Sequence, residues 1–178
     1  MAINSQRTQF ALVTTFVVLT AVTTTIIRIP IPATTGYFNL GDVFIIGAGL
    51  LFGPIGGAIT GAIGAGSADL IGYPQFVLAT VVTKGLEGFL VGLLSRGSNP
   101  GVGRVWLAAA AGALTIVLGY FVFEAYLYPA IGVTMPFFAV TNLQDAIVEI
   151  IPNAVQGAIG AVGGVGLWRA LSAIRLVK

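Results

Sequence analysis

The chain has 178 residues, 57% of them hydrophobic and 8% charged, with mean hydropathy +1.00 and a formal net charge of +2. A soluble domain carries about a quarter charged residues, so the composition describes an integral membrane protein, with length for roughly six spans of about 20 residues and no extramembrane domain. There is no Cys and no His, which excludes thiol chemistry, most zinc sites, His-based triads and haem ligation by either residue; no cofactor and no metal is expected.

Residues 1–7 form a short polar lead ending in Arg7, and the first span covers Phe10 to Ile27. A charge followed by an apolar run also opens a signal peptide. This run is long for one and lacks an A-x-A cleavage site, so it reads as a span. From Arg28 to Asp42 two prolines and two glycines forbid a regular helix and predict an ordered loop. Asn39 or Asp42 is placed to cap the next helix. The second span, Val43 to Phe52, is short and stops at Gly53-Pro54.

The third span runs from Ile55 to Ile71 and is rich in glycine. Gly57 and Gly61 make a small-xxx-small pair, which lets two helix backbones approach closely. A G-x-x-x-x-G-K-[ST] phosphate loop is absent, so the chain does not bind ATP by that route. Asp69 to Pro74 reads as the turn that ends this span. The fourth span, Gln75 to Leu94, carries Thr80, Lys84 and Glu87 on one face. A polar loop, 95–104, precedes the fifth span, Val105 to Tyr128. After an uncharged loop the sixth span runs from Asn142 to Leu171, and Arg175 and Lys178 close the chain.

The sixth span opens with NLQDAIVEIIPNAVQ. Asn142, Asp145, Glu149, Asn153 and Gln156 are spaced three, four, four and three apart, which stacks them along one helix face. A polar stripe inside a membrane span lines a cavity more often than it faces lipid.

Six spans put both termini and the loop 95–104 on one side, with Arg7, Arg96, Arg104, Arg169, Arg175 and Lys178 and no acid. By the positive-inside rule that side is cytoplasmic. The remaining charges fall in the outer half. Arg28, Asp42 and Asp69 sit at outer span ends, Glu124 and Asp145 about one turn below the surface, and Glu149 about 10 Å deep at 1.5 Å per residue. Lys84 is somewhat deeper and Glu87 is nearest the midplane. Gln156, the innermost member of the stripe, falls below the floor of such a site. A channel needs polar groups through the full thickness, whereas a cup open to one side needs only this arrangement. The outer half carries all six acids against two bases, Arg28 and Lys84, which favours a cationic or donor-rich ligand.

Each residue also has a plainer reading. Lys84 and Glu87 make an internal ion pair equally well, Asp42 and Asp69 serve as helix-end caps, and the aromatics around Glu124 form an interface belt.

The run IRIPIP…GYFNLGD…LLFGPIGGAITGAIGAGSADLIGYPQF…TKGLEGFLVGLL resembles the substrate-binding S components of energy-coupling factor (ECF) vitamin transporters, most of all the group with riboflavin, hydroxymethylpyrimidine or pyridoxine-type substrates. The resemblance implies one all-α domain, 1–178, of six transmembrane helices in a prokaryotic cytoplasmic membrane. It also implies a transmembrane coupling subunit and two cytoplasmic ATPase subunits as partners, and no nucleic acid. Carried onto this sequence it points to Lys84, Glu87, Tyr120, Glu124, Asp145, Glu149 and Asn153 as the substrate site, with Gly36 to Asn39 as its lid. Many members dock the coupling subunit through A-x-x-x-A in the first span. Here only Ala11/Thr15 and Val17/Ala21 substitute for it, and Gly57/Gly61 offers further close-packing surface.

The expected function is therefore capture of a small water-soluble vitamin, a hydroxymethylpyrimidine- or pyridoxine-like heteroaromatic, for ATP-driven uptake, with riboflavin the runner-up. A proton-coupled carrier or respiratory subunit using Lys84, Glu87 and Glu149 as a relay is the alternative class, against which the charge-free inner half argues. A membrane enzyme fits least.

Overall fold

The computed structural model describes residues 6–32, 34–97, 100–132, 137, 139 and 141–173. The expected residues of the two extreme ends, Arg175 and Lys178 among them, lie outside that set. Within that set the fold is all-α apart from one pair of two-residue strands. Among the described residues, five helical stretches are long and apolar enough to cross a membrane: Gln6–Ile26, Asp42–Gly72, Pro74–Leu94, Val102–Ile131 and Leu143–Ala173.

Helix α1 is Gln6–Ile26. The strands β1 (Ile29–Pro30) and β2 (Tyr37–Phe38) pair antiparallel and make a strap across one end of the bundle. Helix α2 (Asp42–Ile59) continues through a π-helical turn (Thr60–Ala65) into α3 (Gly66–Gly72). Helix α4 is Val77–Leu94 and α5 is Val102–Val122, which runs through a second π-helical turn (Phe123–Leu127) into α6 (Tyr128–Gly132). Helix α7 is Leu143–Ala173.

The expected short second span and glycine-rich third span both fall within Asp42–Gly72, and Gly53 divides them. Its φ of 77° and ψ of −170° break the helix, and Pro54 follows with no N–H to offer. A Cβ on Gly57 would stand 2.8 Å from the Gly49 Cα. Along an unbroken helix, residues eight apart are separated by about 12 Å. The chain therefore doubles back at Gly53, and the first arm, 42–52, is only about 16 Å long.

Glycine sets how the arms pack. Gly61 faces the Lys84 carbonyl, Gly57 faces Gly88 and Gly53 faces Gly92, so the second arm runs antiparallel to α4 in a fixed register. A Cβ on Gly57 would lie 2.2 Å from the Gly88 carbonyl oxygen, and one on Gly88 the same distance from the Gly57 oxygen. Only glycine admits that approach, which gains dispersion and close backbone contact where lipid gives no hydrophobic drive. The close-packing reading of Gly57 and Gly61 holds, but their use as a docking surface is corrected: both are buried inside the molecule against α4. The first arm lies on α7, with Asp42 beside Gly160 and Ile46 beside Gly164.

On α1 only Phe16, Thr20 and Thr24 are buried. Ala11 and Thr15 are exposed, the Thr15 hydroxyl donating to the Ala11 carbonyl at 2.9 Å, while Val17 and Ala21 are half-buried.

Candidate functional site: a closed cup under the strap

Four pieces of chain converge at the end of the bundle opposite Arg96, Arg104 and Arg169. The strap contributes Gly36, Tyr37 and Asn39, and the α3–α4 corner contributes Asp69, Phe76 and Thr80. Tyr120 and Glu124 come from α5 and its π turn, and Glu149, Asn153 and Gln156 from one face of α7. They enclose about 30 Å³, measured as room for the centre of a water-sized sphere, enough for roughly one or two waters.

The α7 stripe follows from the three-and-four spacing, and its inner members Glu149, Asn153 and Gln156 are all buried. Its outer members behave differently. The Asn142 carboxamide oxygen accepts from the Gln144 and Asp145 N–H groups at 2.8 and 3.1 Å, and its amide donates to Asp145 at 2.8 Å. That is a helix cap. Asp145, expected in the site, is held at the helix start instead and does not line the cavity.

On α5 the extra residue per turn between Phe123 and Leu127 resets the helical register. Such π turns recur at binding sites. Here Glu124 is 2% exposed and lines the cavity together with Glu149, near enough for the two carboxylates to interact electrostatically. The Glu124 Oε2 has no hydrogen-bond partner among the described residues. Two carboxylates side by side repel unless a proton or a donor-bearing group sits between them. Tyr128 is not an interface aromatic. It is fully buried against Phe76 and Phe123, and its hydroxyl accepts the Ala79 N–H at 3.1 Å.

Asp69 is not the turn cap that its position implied. It is 1% exposed, and one oxygen accepts the Tyr37 hydroxyl while the other accepts the Thr80 hydroxyl at 2.5 Å. Thr80 in turn touches the Tyr120 hydroxyl at 3.2 Å. Burial and the adjacent Asp69 carboxylate push the Tyr37 phenol well above its ordinary pKa. Arg28 lies over the Tyr37 and Tyr73 rings, 5.3 and 5.1 Å from their centroids, and donates to the Ala68 carbonyl at 2.6 Å.

Lys84 and Glu87 belong to a different structure. Asp42, expected at an outer helix end, is fully buried and pairs directly with the Lys84 ammonium. Glu87 stands 3.6 Å from the same ammonium. Neither Lys84 nor Glu87 lines the cavity; the Lys84 ammonium lies 5.5 Å from the centroid of the Tyr120 ring. The three charges form the support beneath the cup. Gln156, placed below the floor by depth counting, is instead part of the lining: its Oε1 accepts the Asn39 N–H at 2.8 Å and its Nε2 donates to Asp42 at 2.7 Å. The depth count failed because Asp42, at the start of α2, is fully buried against Gly160 of α7 and not at an outer end.

Of the expected site residues the structure brings together Asn39, Tyr120, Glu124, Glu149 and Asn153. The wall residues that sequence reasoning did not assign to the site are Asp69, Thr80, Phe76 and Gln156, while Tyr37 lies within the expected lid, Gly36 to Asn39. A lone acid inside the glycine-rich apolar run 55–71 was the available signal for Asp69.

The family model described as ECF-type riboflavin transporter, S component, matches residues 4–173. An uncharacterized protein in a gap 3′ region of Pyrococcus woesei is 40% identical over 145 residues, covering 82% of this chain and 90% of that protein. Together with the apolar helices and the closed polar cup, the family match accounts for a multi-pass cell-membrane protein that serves as the substrate-binding subunit of vitamin uptake. The chain belongs to the ECF-type riboflavin transporter S-component family.

Proposed function

We propose that this subunit captures a small, donor-rich heteroaromatic vitamin of the hydroxymethylpyrimidine or pyridoxine class at its outer face. One observation carries the reading: among the described residues the cavity wall holds three carboxylates, Asp69, Glu124 and Glu149, and no basic side chain. Such a wall accepts hydrogen bonds and repels anions. Tyr120 or Phe76 stacks on the ring, Glu124 and Glu149 accept from amino or hydroxymethyl groups, and Asn153 supplies one donor and one acceptor. The whole chain acts as one binding domain. Six membrane passes, counting the two arms joined at Gly53 separately, set both termini and the exposed Arg96, Arg104 and Arg169 on the cytoplasmic side. A transmembrane coupling subunit meets the exposed Ala11/Thr15 face of α1, and two ATPase subunits supply the energy.

Calorimetric titration against a vitamin panel tests the assignment. Glu149→Ala removes a charged hydrogen-bond acceptor, a change of about 1.5–3 kcal/mol, so affinity falls roughly 10- to 100-fold while the protein stays folded. Unchanged affinity rules out the site.

Riboflavin is the second reading, favoured by the family match. It requires the cup to open much further than a single ring does, and purified protein carrying it is yellow.

A further inference from the structure

The strap does more than cover the cup. The Gly36 N–H donates to the Thr34 hydroxyl at 3.1 Å, and the turn so formed presses Gly36 so close to α7 that a Cβ there would lie 2.3 Å from the Glu149 Oε1. The Tyr37 hydroxyl donates to Asp69, and the Asn39 N–H donates to Gln156. Two donors of the strap thus meet two of the wall's acceptors, and Gly36 is packed onto a third. The Glu124 Oε2 on the same wall has no hydrogen-bond partner among the described residues. What remains between strap and wall is room for water only.

We propose that residues 34–39 occupy the vitamin site as an internal surrogate ligand, and that an incoming vitamin displaces Gly36 from Glu149 and the strap's donors from Asp69 and Gln156 after first engaging Glu124. This rests on the proposed vitamin site and deepens it. The donor pattern of the strap is then a template for the ligand: a compact body that fills the cup against Glu149 and presents hydrogen-bond donors to Asp69 and Gln156. The surrogate has a sign that a simple lid lacks. A lid that closes over bound vitamin keeps its contacts in the complex, so weakening them weakens binding. A surrogate competes, so weakening its contacts strengthens binding.

Tyr37→Phe separates the two, because it removes the donor to Asp69 and retains the ring against Arg28 and Tyr73. Thr34→Val is the second variant, removing the hydroxyl that accepts the Gly36 N–H and so loosening the turn that seats Gly36 on Glu149. Two measurements are needed. The native chain has no cysteine, so Asn153→Cys places one thiol on the cavity wall, and its modification by a membrane-impermeant methanethiosulfonate reports strap opening without any vitamin. Titration of proteins with native Asn153 uses hydroxymethylpyrimidine, pyridoxine and riboflavin as probes. The surrogate predicts that each strap variant speeds thiol modification about 3- to 10-fold and tightens the probe that binds by a similar factor. Faster modification with weaker binding overturns it in favour of a lid. Unchanged modification overturns it outright. If none of the three probes binds the parent protein, the vitamin reading fails, and the modification rates still decide whether the strap is what fills the cup.

Discussion

Gln156 donates from its Nε2 to the Oδ2 of Asp42 at 2.7 Å, joining two residues 114 positions apart in the chain. The bond fixes which way the amide faces, because only its nitrogen can donate to a carboxylate. Its oxygen is therefore turned to the Asn39 N–H. Gln156→Glu keeps the shape and replaces the donor with an acceptor against Asp42. Loss of one buried hydrogen bond with an acceptor left facing an acceptor costs about 1–3 kcal/mol. Thermal unfolding in detergent is expected to show that loss, and Gln156→Met a loss of similar size through the stranded Asn39 N–H. A Gln156→Glu protein as stable as the parent contradicts the assigned orientation.

Lys84 is 1% exposed and stands between two carboxylates that are fully buried. Removing it leaves both charges uncompensated, a change of about 3–5 kcal/mol for a broken buried pair. Lys84→Met is expected to unfold at much lower temperature than the parent. The triple replacement Asp42→Asn, Lys84→Met, Glu87→Gln is expected to recover most of that loss, since no net charge is left buried. If Lys84 instead contacts the ligand directly, the triple variant recovers stability and loses binding far beyond the effect of Gln156→Met.

Much of this was legible in the sequence because local periodicity carries it. The stripe Glu149, Asn153, Gln156 follows from helical spacing alone, and Gly53-Pro54 announces a break whatever surrounds it. Depth was not legible in the same way. Counting residues from the loop ends placed Asp42 at the surface, but a loop that folds inward carries its neighbours with it. Asp42 meets Lys84 and Gln156 deep in the bundle. Asp69 was missed for a related reason. Nothing local distinguishes a turn-capping aspartate from one whose two oxygens are taken by Tyr37 and Thr80, residues brought in from the strap and from α4. Asp145 shows the converse: a stripe position that the helix start claims through Asn142.

The Gly57–Gly88 contact gives the sharpest packing test. Gly88→Ala introduces a Cβ 2.2 Å from a backbone oxygen, and backbone on both sides cannot retreat without separating α2 from α4. Little folded protein is expected on size exclusion. Gly166→Ala lies in the same kind of apolar helix but meets nothing within 4 Å. It is expected to be neutral or to stabilise by up to about 1 kcal/mol through helix propensity. Equal behaviour of the two variants contradicts the close approach.

Tyr37 makes the strap sensitive to alkali in a predictable direction. Its phenol is held above the ordinary tyrosine value by burial and by the Asp69 carboxylate, so the closed strap retains a proton that an open strap gives up near pH ~10. By linkage the closed form is unaffected below that pH and loses stability as pH rises beyond it, because the open form then binds fewer protons. Hydrogen exchange at the strap amides, corrected for intrinsic base catalysis, is expected to show closure constant through neutral pH and falling above about 10. Tyr37→Phe starts from a more open strap and lacks the alkaline fall attributable to this phenol. An identical alkaline profile in parent and Tyr37→Phe proteins would mean that another group holds the strap to Asp69.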